Sequence, residues 1–516
     1  MLKAPDTAEW MVSAWSEYNS HKSNETLTPT SELLSALIAA GYVLLDTKWV
    51  FVPKMTKLRR LERRKSRWVL RGDQQDERSY DPFKLFAPTP AQFTVKFVLN
   101  LCLQLDIPVT HADVPVAFQI PVLHEKVVIR LPEELQTDGC TLAIVNKSLY
   151  GLKQAPAAWR AESHAFIMGY DPEIQCAKKD VCVYFIWTKA KRMILVNYVD
   201  DYAGGCTDAG WWKSFMEAFQ LKFKVKDLGP VDQLLGMGIT RTSSTLTMSM
   251  EKGITLLAAQ HGILDAVPVW TPMEVNCCNT LPMDQQKDVK IPYLELLGGV
   301  MWIVRICRGD ALFASKVLSR FTNCYTEVHF KALKRVLMYL YTTRHLVLTF
   351  HKQVDFDMCK IQFTLYTDSD YGSDERTRRS VSGAQLMMCG NPIESVSVQQ
   401  KTTALSTAEA ELMALAQGLK AALFAHQLTE EMTGVQYPTR VHVDNQGTKA
   451  MAVNEVTSNK SKHIAVRYFF CRELVQAGKV TIGFVPTTDN VADIMTKALP
   501  EPAHTKFTRA VLGLRS

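Results

Sequence analysis

Two aspartates, Asp200 and Asp201, stand side by side inside residues 194–205, ILVNYVDDYAGG. Adjacent carboxylates repel one another, so a fold either spreads them apart or gives them a cation to share. The apolar, β-branched run before them and the Gly204-Gly205 pair after them predict a β-hairpin with both acids at its turn. A solvated turn is the plain alternative, because aspartate is common in turns. A third acid, Asp113, lies in His111-Ala112-Asp113-Val114-Pro115-Val116-Ala117-Phe118. Pro115 suits the first turn of a helix, so Asp113 is expected where a strand gives way to one, as an N-cap or beside the Val116 and Ala117 amides, which could hold an anion. The second half repeats the theme. Phe363-Thr364-Leu365-Tyr366-Thr367-Asp368 and Thr439-Arg440-Val441-His442-Val443-Asp444 read as strands that end in aspartate, and a helix starting near Ser406 carries Glu409 and Glu411 in its first turns. Each of these acids, taken alone, is equally a cap or a surface residue.

The elements that must position these acids can be read around them. The 516 residues exceed what one core can fill and suggest about three or four domains. With 47% apolar and 22% charged residues the composition is globular, and a net charge of +7 permits a polyanionic partner without requiring one. Twelve cysteines without a CxxC pair indicate neither a zinc knuckle nor a disulfide framework, so a reducing intracellular compartment, cytoplasm or nucleus, is the expectation. No apolar run has the length of a bilayer span, and MLKAPDTAEW lacks a signal-peptide core, so no membrane partner is expected.

Residues 1–45 read as a helical lead-in broken at Thr28-Pro29-Thr30-Ser31, followed by a strand at Thr47-Lys48-Trp49-Val50-Phe51-Val52. Between Lys54 and Arg71 nine positions (54, 57, 59, 60, 63, 64, 65, 67 and 71) are Lys or Arg. Interleaved with Trp68-Val69-Leu70, they would line one face of a strand pair and suit phosphate contact, or form a solvated charged face. Residues 93–105 have helical spacing, 274–292 read as a linker, and 291–320 and 326–340 as packed helices. From residue 360 the rhythm turns to β. Strands at 363–368, 381–389, 393–400, 439–444 and 479–485, with helices from 406, over 462–474 and from 489, predict a three-layer α/β domain on a mixed sheet.

These residues together carry a resemblance. Asp113 with Ala117-Phe118, the block Ser148-Leu149-Tyr150-Gly151-Leu152-Lys153-Gln154-Ala155-Pro156-Ala157-Ala158-Trp159, Tyr198-Val199-Asp200-Asp201 and Asp227-Leu228-Gly229 resemble the reverse transcriptase of copia-type LTR retrotransposons. The pattern YTDSD…AEAELMAL…VDNQ…NVADIMTK resembles the RNase H domain that follows it in such elements. The resemblance implies a right-hand polymerase of fingers, palm and thumb/connection, then an RNase H-like three-layer domain, α+β and α/β in class. It implies a lead-in over 1–45, fingers and palm over 46–273, thumb and connection over 274–358, the RNase H-like domain over 359–500 and a tail over 501–516. Asp113, Asp200 and Asp201 would form one carboxylate set and Asp368, Glu411, Asp444 and Asp493 the other, each holding two Mg2+ (or Mn2+) ions for phosphodiester chemistry.

The same resemblance puts Arg67, Phe118, Tyr150, Gly151 and Gln154 around the incoming nucleotide and makes Leu235-Gly236-Met237 the primer grip. The implied partners are an RNA template, a DNA primer, RNA–DNA hybrid and dNTPs, in a cytoplasmic virus-like particle or the nucleus. The chain departs from the family at Gln119-Ile120-Pro121, in a fingers hairpin crowded with arginine, at Arg308-Gly309-Asp310 and at Ala465 beside Ser461-Lys462-His463-Ile464. Without a protease, a capsid region or an HHCC zinc cluster, the sequence is expected to be part of a longer polyprotein or a truncated copy. An eroded remnant that at most binds nucleic acid is the alternative to an enzyme.

Overall fold

The computed structural model describes residues 7–55, 61–83, 85–136, 139–354, 356, 361–453 and 465–515. At its centre is a six-stranded sheet ordered Lys226–Pro230, Thr110–Asp113, Asp201–Cys206, Arg192–Tyr198, Val183–Trp187 and Gln175–Cys176. Both faces are covered, which is why the strands read as continuous apolar runs. Met193, Leu195 and Tyr202 pack against the helices Ala155–Tyr170 and Ala209–Phe223, whereas Ile194, Val196 and Ala203 join the core around Gln92–Gln104. That last helix is buried on every side, as an apolar helix must be, and carries Lys96, Asn100 and Gln104 into the interior. Gly204 and Gly205 are required where they stand. A Cβ on Gly204 would meet the Ile194 carbonyl oxygen at 2.3 Å, and one on Gly205 the Pro108 carbonyl oxygen at 1.9 Å.

The lead-in is only partly helical. After the helix Thr7–Ser23, the strand Leu27–Thr30 pairs with Leu142–Lys147, and Val43–Leu45 runs parallel to Val122–Arg130 on the far side of the same four-stranded sheet. The expected break at Pro29 is thus an edge strand, where a missing N–H does no harm. Thr47–Met55 and Leu61–Leu70 form the antiparallel fingers hairpin. Its basic run does not share one face, because side chains alternate along a strand. Arg64 turns toward the Thr7–Ser23 helix, pairs with Glu9 and lies over the Trp10 ring. Lys57, Arg59 and Arg60 lie outside the described residues, as does the Ser461-Lys462-His463-Ile464 stretch.

The predicted linker and helices resolve into Tyr293–Cys307, Leu312–Leu318 and Glu327–Thr342, and a strand, Leu348–His351, adds to the sheet of Gln233–Leu234, Met237–Arg241 and Thr245–Ser249. The segments expected as palm (46–273) and connection (274–358) therefore contribute strands to one sheet. The last module is a mixed five-stranded sheet ordered Asn391–Gln399, Val381–Met388, Phe363–Asp370, Thr439–Val443 and Val480–Phe484, with the long helix Thr407–Thr433 against it. Gly418 lets that helix approach, since a Cβ there would lie 2.8 Å from Thr367 Cγ2.

The expected tail is instead a helix, Glu501–Val511, and its buried His504 donates from Nε2 to the Asp310 carbonyl oxygen at 3.1 Å. Beneath it, Arg308 and Asp310 form a fully buried pair at 2.7 Å, completed by Tyr339, whose hydroxyl donates to Asp310 at 2.6 Å, and by the Thr343 carbonyl and hydroxyl. Glycine at 309 fits because any Cβ would meet Ser395 Oγ at 2.6 Å. A buried charge left without its partner costs about 3–5 kcal/mol. Asp310→Asn is accordingly expected to lower the urea-unfolding free energy by about that amount, whereas Asp106→Asn at the exposed Lys352 pair changes it by less than about 1 kcal/mol.

Two candidate carboxylate active sites

The hairpin predicted at 194–205 exists, with Asp201 opening its second strand and Val199-Asp200 forming the turn between paired Tyr198 and Asp201. Asp113 lies directly opposite Asp201 in the neighbouring strand, and Lys226 faces it from the other side. Directly opposed residues of antiparallel strands share a face, so the topology alone sets Asp113 and Asp201 side by side. The helix expected after Asp113 is a single turn, Ala117–Gln119, and the Ala117 amide already donates to the Val114 carbonyl at 3.3 Å. That amide is thus not available for an anion.

Val199 sits at φ 62°, a left-handed conformation that a β-branched residue adopts only under constraint. The constraint is visible on both sides of the turn. Trp159, buried in the helix that follows the Tyr150–Gln154 block, donates its Nε1–H to the Val199 carbonyl at 2.7 Å, and the Val114 amide donates to the Asp200 carbonyl at 3.0 Å. Trp159→Phe keeps the ring bulk and removes the donor. It is expected to cost about 1–3 kcal/mol in stability from the stranded carbonyl, read by the urea midpoint.

Burial raises the Asp113 carboxyl above its ordinary range, with Asp201 adding to the effect and Lys226 and His111 opposing it. Asp200 is raised by burial, while Arg67 pulls it back. Arg67 lies 5.4 Å over the Tyr150 ring, and Tyr150 meets Phe118 edge to face at 5.0 Å, so these three sequence-predicted residues do gather near the acids. Gly151 and Gln154 also make contacts within the scaffold. Gly151, at φ 98°, lies so close to the Leu70 carbonyl that a Cβ would be 2.0 Å from it, and Gln154 accepts from Gln75 at 3.0 Å. Leu235 and Gly236, both left-handed, form the tip of the predicted grip hairpin, and Met237 is core. A cavity of about 340 Å³ separates Tyr198, Leu235 and Met237 from Trp302 and Arg305.

The second acid set is tighter. Among the described residues, Asp368, Asp444 and Asp493 bring carboxylate oxygens within 4.8 Å of one another, a spacing that Asp113, Asp200 and Asp201 do not reach. Glu411 joins them, its Oε1 accepting from the Ser369 amide at 3.1 Å. Capping distinguishes the two glutamates. Ser406 accepts from the Glu409 amide, and the Glu409 carboxylate accepts from the Leu405 amide at 2.7 Å, which occupies Glu409 as a helix cap. Burial, then Asp368 and Asp444, pushes Glu411 up to about 9; burial and Asp368 push Asp493 up to about 7.

Thr496 donates to Asp368, Thr487 to Asp444 at 2.9 Å, and Lys497 pairs with Asp493 at 3.1 Å. Glu411 Oε2 and Asp493 Oδ1 remain buried without a partner. Orphaned oxygens among repelling, oxygen-only acids suit a hard divalent cation. Sequence reading missed Trp159, His111, Lys226 and Lys497. Of these, only Lys497, four residues after Asp493, carried a local signal.

Residues 40–275 match the family model described as reverse transcriptase (RNA-dependent DNA polymerase). They belong to the reverse transcriptase family. Over 92% of its length the chain is 31% identical to the retrovirus-related Pol polyprotein from transposon TNT 1-94 of Nicotiana tabacum, and covers 36% of it. Over 99% it is 27% identical to the corresponding polyprotein from transposon RE2 of Arabidopsis thaliana, and covers 34% of that. The chain thus spans about a third of the length of these copia-type relatives. A solved foamy viral protease–reverse transcriptase, in complex with double-stranded DNA, is similar in fold: TM-score 0.50 at 12% identity, covering 92% of this chain and 69% of that one. The reverse transcriptase domain and the mixed-sheet α/β module after it are the architecture the sequence pattern implied.

Proposed function

We propose that this chain extends a DNA primer on an RNA template and cleaves the RNA of the hybrid it makes, as part of a copia-type retrotransposon polyprotein. The observation that carries the reading is the Asp113–Asp201 register pair beside the Val199-Asp200 turn, inside a domain of the reverse transcriptase family. Asp113, Asp200 and Asp201 would hold two Mg2+ or Mn2+ ions, and Asp368, Glu411, Asp444 and Asp493 a second pair. Such ions activate the attacking oxygen and stabilise the leaving one in phosphoryl transfer.

The remaining roles follow from this chain's own side chains. Arg67 neutralises the triphosphate of the incoming dNTP, over a wall made by Tyr150 and Phe118 that limits space at the sugar 2′ position. Leu235 and Gly236 present the primer end. In the RNase H-like domain, Lys497 and Thr496 hold Asp493 and Asp368 in place as the water attacks, and selection of the RNA strand comes from its 2′-hydroxyls. Against the remnant reading stands the intact support of both acid sets: the turn is held by Trp159, and the departure at Gly309 fits its buried surroundings.

The test is a paired assay on one preparation with primer–template and labelled hybrid. The proposal expects Mg2+- or Mn2+-dependent extension and hybrid cleavage together. Folded protein that binds primer–template and adds no nucleotide would overturn the polymerase half.

A further inference from the structure

His111 has no part in the chemistry just described, yet it touches the polymerase acids. It pairs in register with Ala203, two positions along the same strand pair from Asp113 and Asp201 and so on the same face, which sets its ring diagonally against the Asp201 carboxylate. Nε2 is 3.0 Å from Asp201 Oδ1, and the histidine is 8% exposed. An ionised carboxylate only accepts, so Nε2 carries the hydrogen and donates it. Among the described residues this is the one hydrogen bond made to the Asp201 side chain, which is 31% exposed and otherwise free to change rotamer beside two like charges.

We infer that His111 is a positioning residue of the polymerase site: its Nε2–H holds Asp201 Oδ1, fixes the carboxylate beside Asp113 with the other oxygen left for a divalent cation, and thereby sets the cation affinity of that site. The inference rests on the proposed polymerase reading. Its physical basis is that partners which orient a ligating carboxylate change metal affinity by about 10–100-fold when removed, without touching the metal. What matters is a donor at the right reach. Glutamine, whose amide nitrogen stands at a similar distance from the backbone, replaces the histidine; leucine fills the space and donates nothing.

The experiment compares the full chain with His111→Leu and His111→Gln in two readouts. One is the Mg2+ concentration for half-maximal primer extension. The other is Mn2+ binding by titration calorimetry without nucleic acid, with thermal unfolding to establish that each variant is folded. His111→Leu is expected to shift both midpoints upward about tenfold or more, to recover kcat at saturating metal, and His111→Gln to lie within about threefold of the parent. If His111→Leu does not fold, His111→Asn, which shortens the reach of the donor, takes its place with the same expected direction. Unchanged metal midpoints in the leucine or asparagine variant, or a glutamine variant as impaired as leucine, would overturn the inference. A parent chain that binds Mn2+ but extends no primer refutes the polymerase reading instead, and the calorimetric shift still decides the role of His111.

Discussion

Asp200→Asn is expected to lower primer extension by about 10³-fold while hybrid cleavage by the same protein stays within about twofold. The side chain keeps its shape and loses only its charge. Its surroundings already disfavour that charge: burial and the two nearby aspartates raise the carboxyl, against a backbone hydrogen bond and Arg67 that lower it. A charge held under such repulsion is one that a cation is meant to share, and about 4 kcal/mol of transition-state stabilisation disappears with it. Cleavage survives because the second acid set is built on a different sheet, with no strand in common. Single-turnover extension and cleavage, measured side by side at saturating metal, check both halves of the expectation. Parallel loss of the two activities would mean that the acids act in one site or that the variant is unfolded.

Glu411→Gln is expected to do the converse and to stabilise the metal-free protein. Hybrid cleavage falls by about 10³-fold, extension persists, and the melting temperature rises. The sign follows from linkage. Glu411 has its folded-state pKa raised from an ordinary 4.5 to about 9, so ionising it opposes folding. Below about pH 4.5 the group is protonated whether folded or not and contributes nothing; as pH rises toward about 9 the penalty grows to its full size. The metal-free parent should therefore lose thermal stability from about pH 6 to about pH 9, and the glutamine variant should lose less. Each kcal/mol recovered is worth about 2–4 °C in a domain of this size. Mg2+ raises the melting temperature of the parent more than that of the variant, because the cation relieves the same repulsion. Thermal unfolding across that pH range, with and without Mg2+, checks the sign.

Local pattern placed four of the acids at the ends of elements, and the resemblance alone grouped all seven into two sets. Asp368 and Asp444 close β-rich stretches, and Asp200 and Asp201 sit where an apolar run meets two glycines. Glu411 was separable from Glu409 only through the resemblance, which matches it to the acidic slot before Leu412-Met413-Ala414; the capping contact between Ser406 and the Glu409 amide is visible only in the fold. What could not be read is whatever depends on pairing across the sheet or between distant segments. His111 acquires its partner 90 residues away, and Trp159 meets Val199 across 40. The strand at Leu27–Thr30 exists because Leu142–Lys147 offers it an edge, which overrides the local break at Pro29. The resemblance puts Tyr150, Gly151 and Gln154 around the incoming nucleotide, and gave no sign that Gly151 also packs on the Leu70 carbonyl at the end of the fingers strand or that Gln154 accepts from Gln75 beyond it. The basic fingers run was over-read as one surface because counting charges ignores the two-residue alternation of a strand, which turns Arg64 back onto Glu9.

Manganese anomalous diffraction from crystals of the full chain most directly tests the claim that two separate acid sets each hold divalent cations. The account predicts anomalous density between Asp113 and the Asp200–Asp201 turn, and a second group of peaks among Asp368, Glu411, Asp444 and Asp493. Density at the second site with none at the first, under Mn2+ concentrations that support extension, would contradict it.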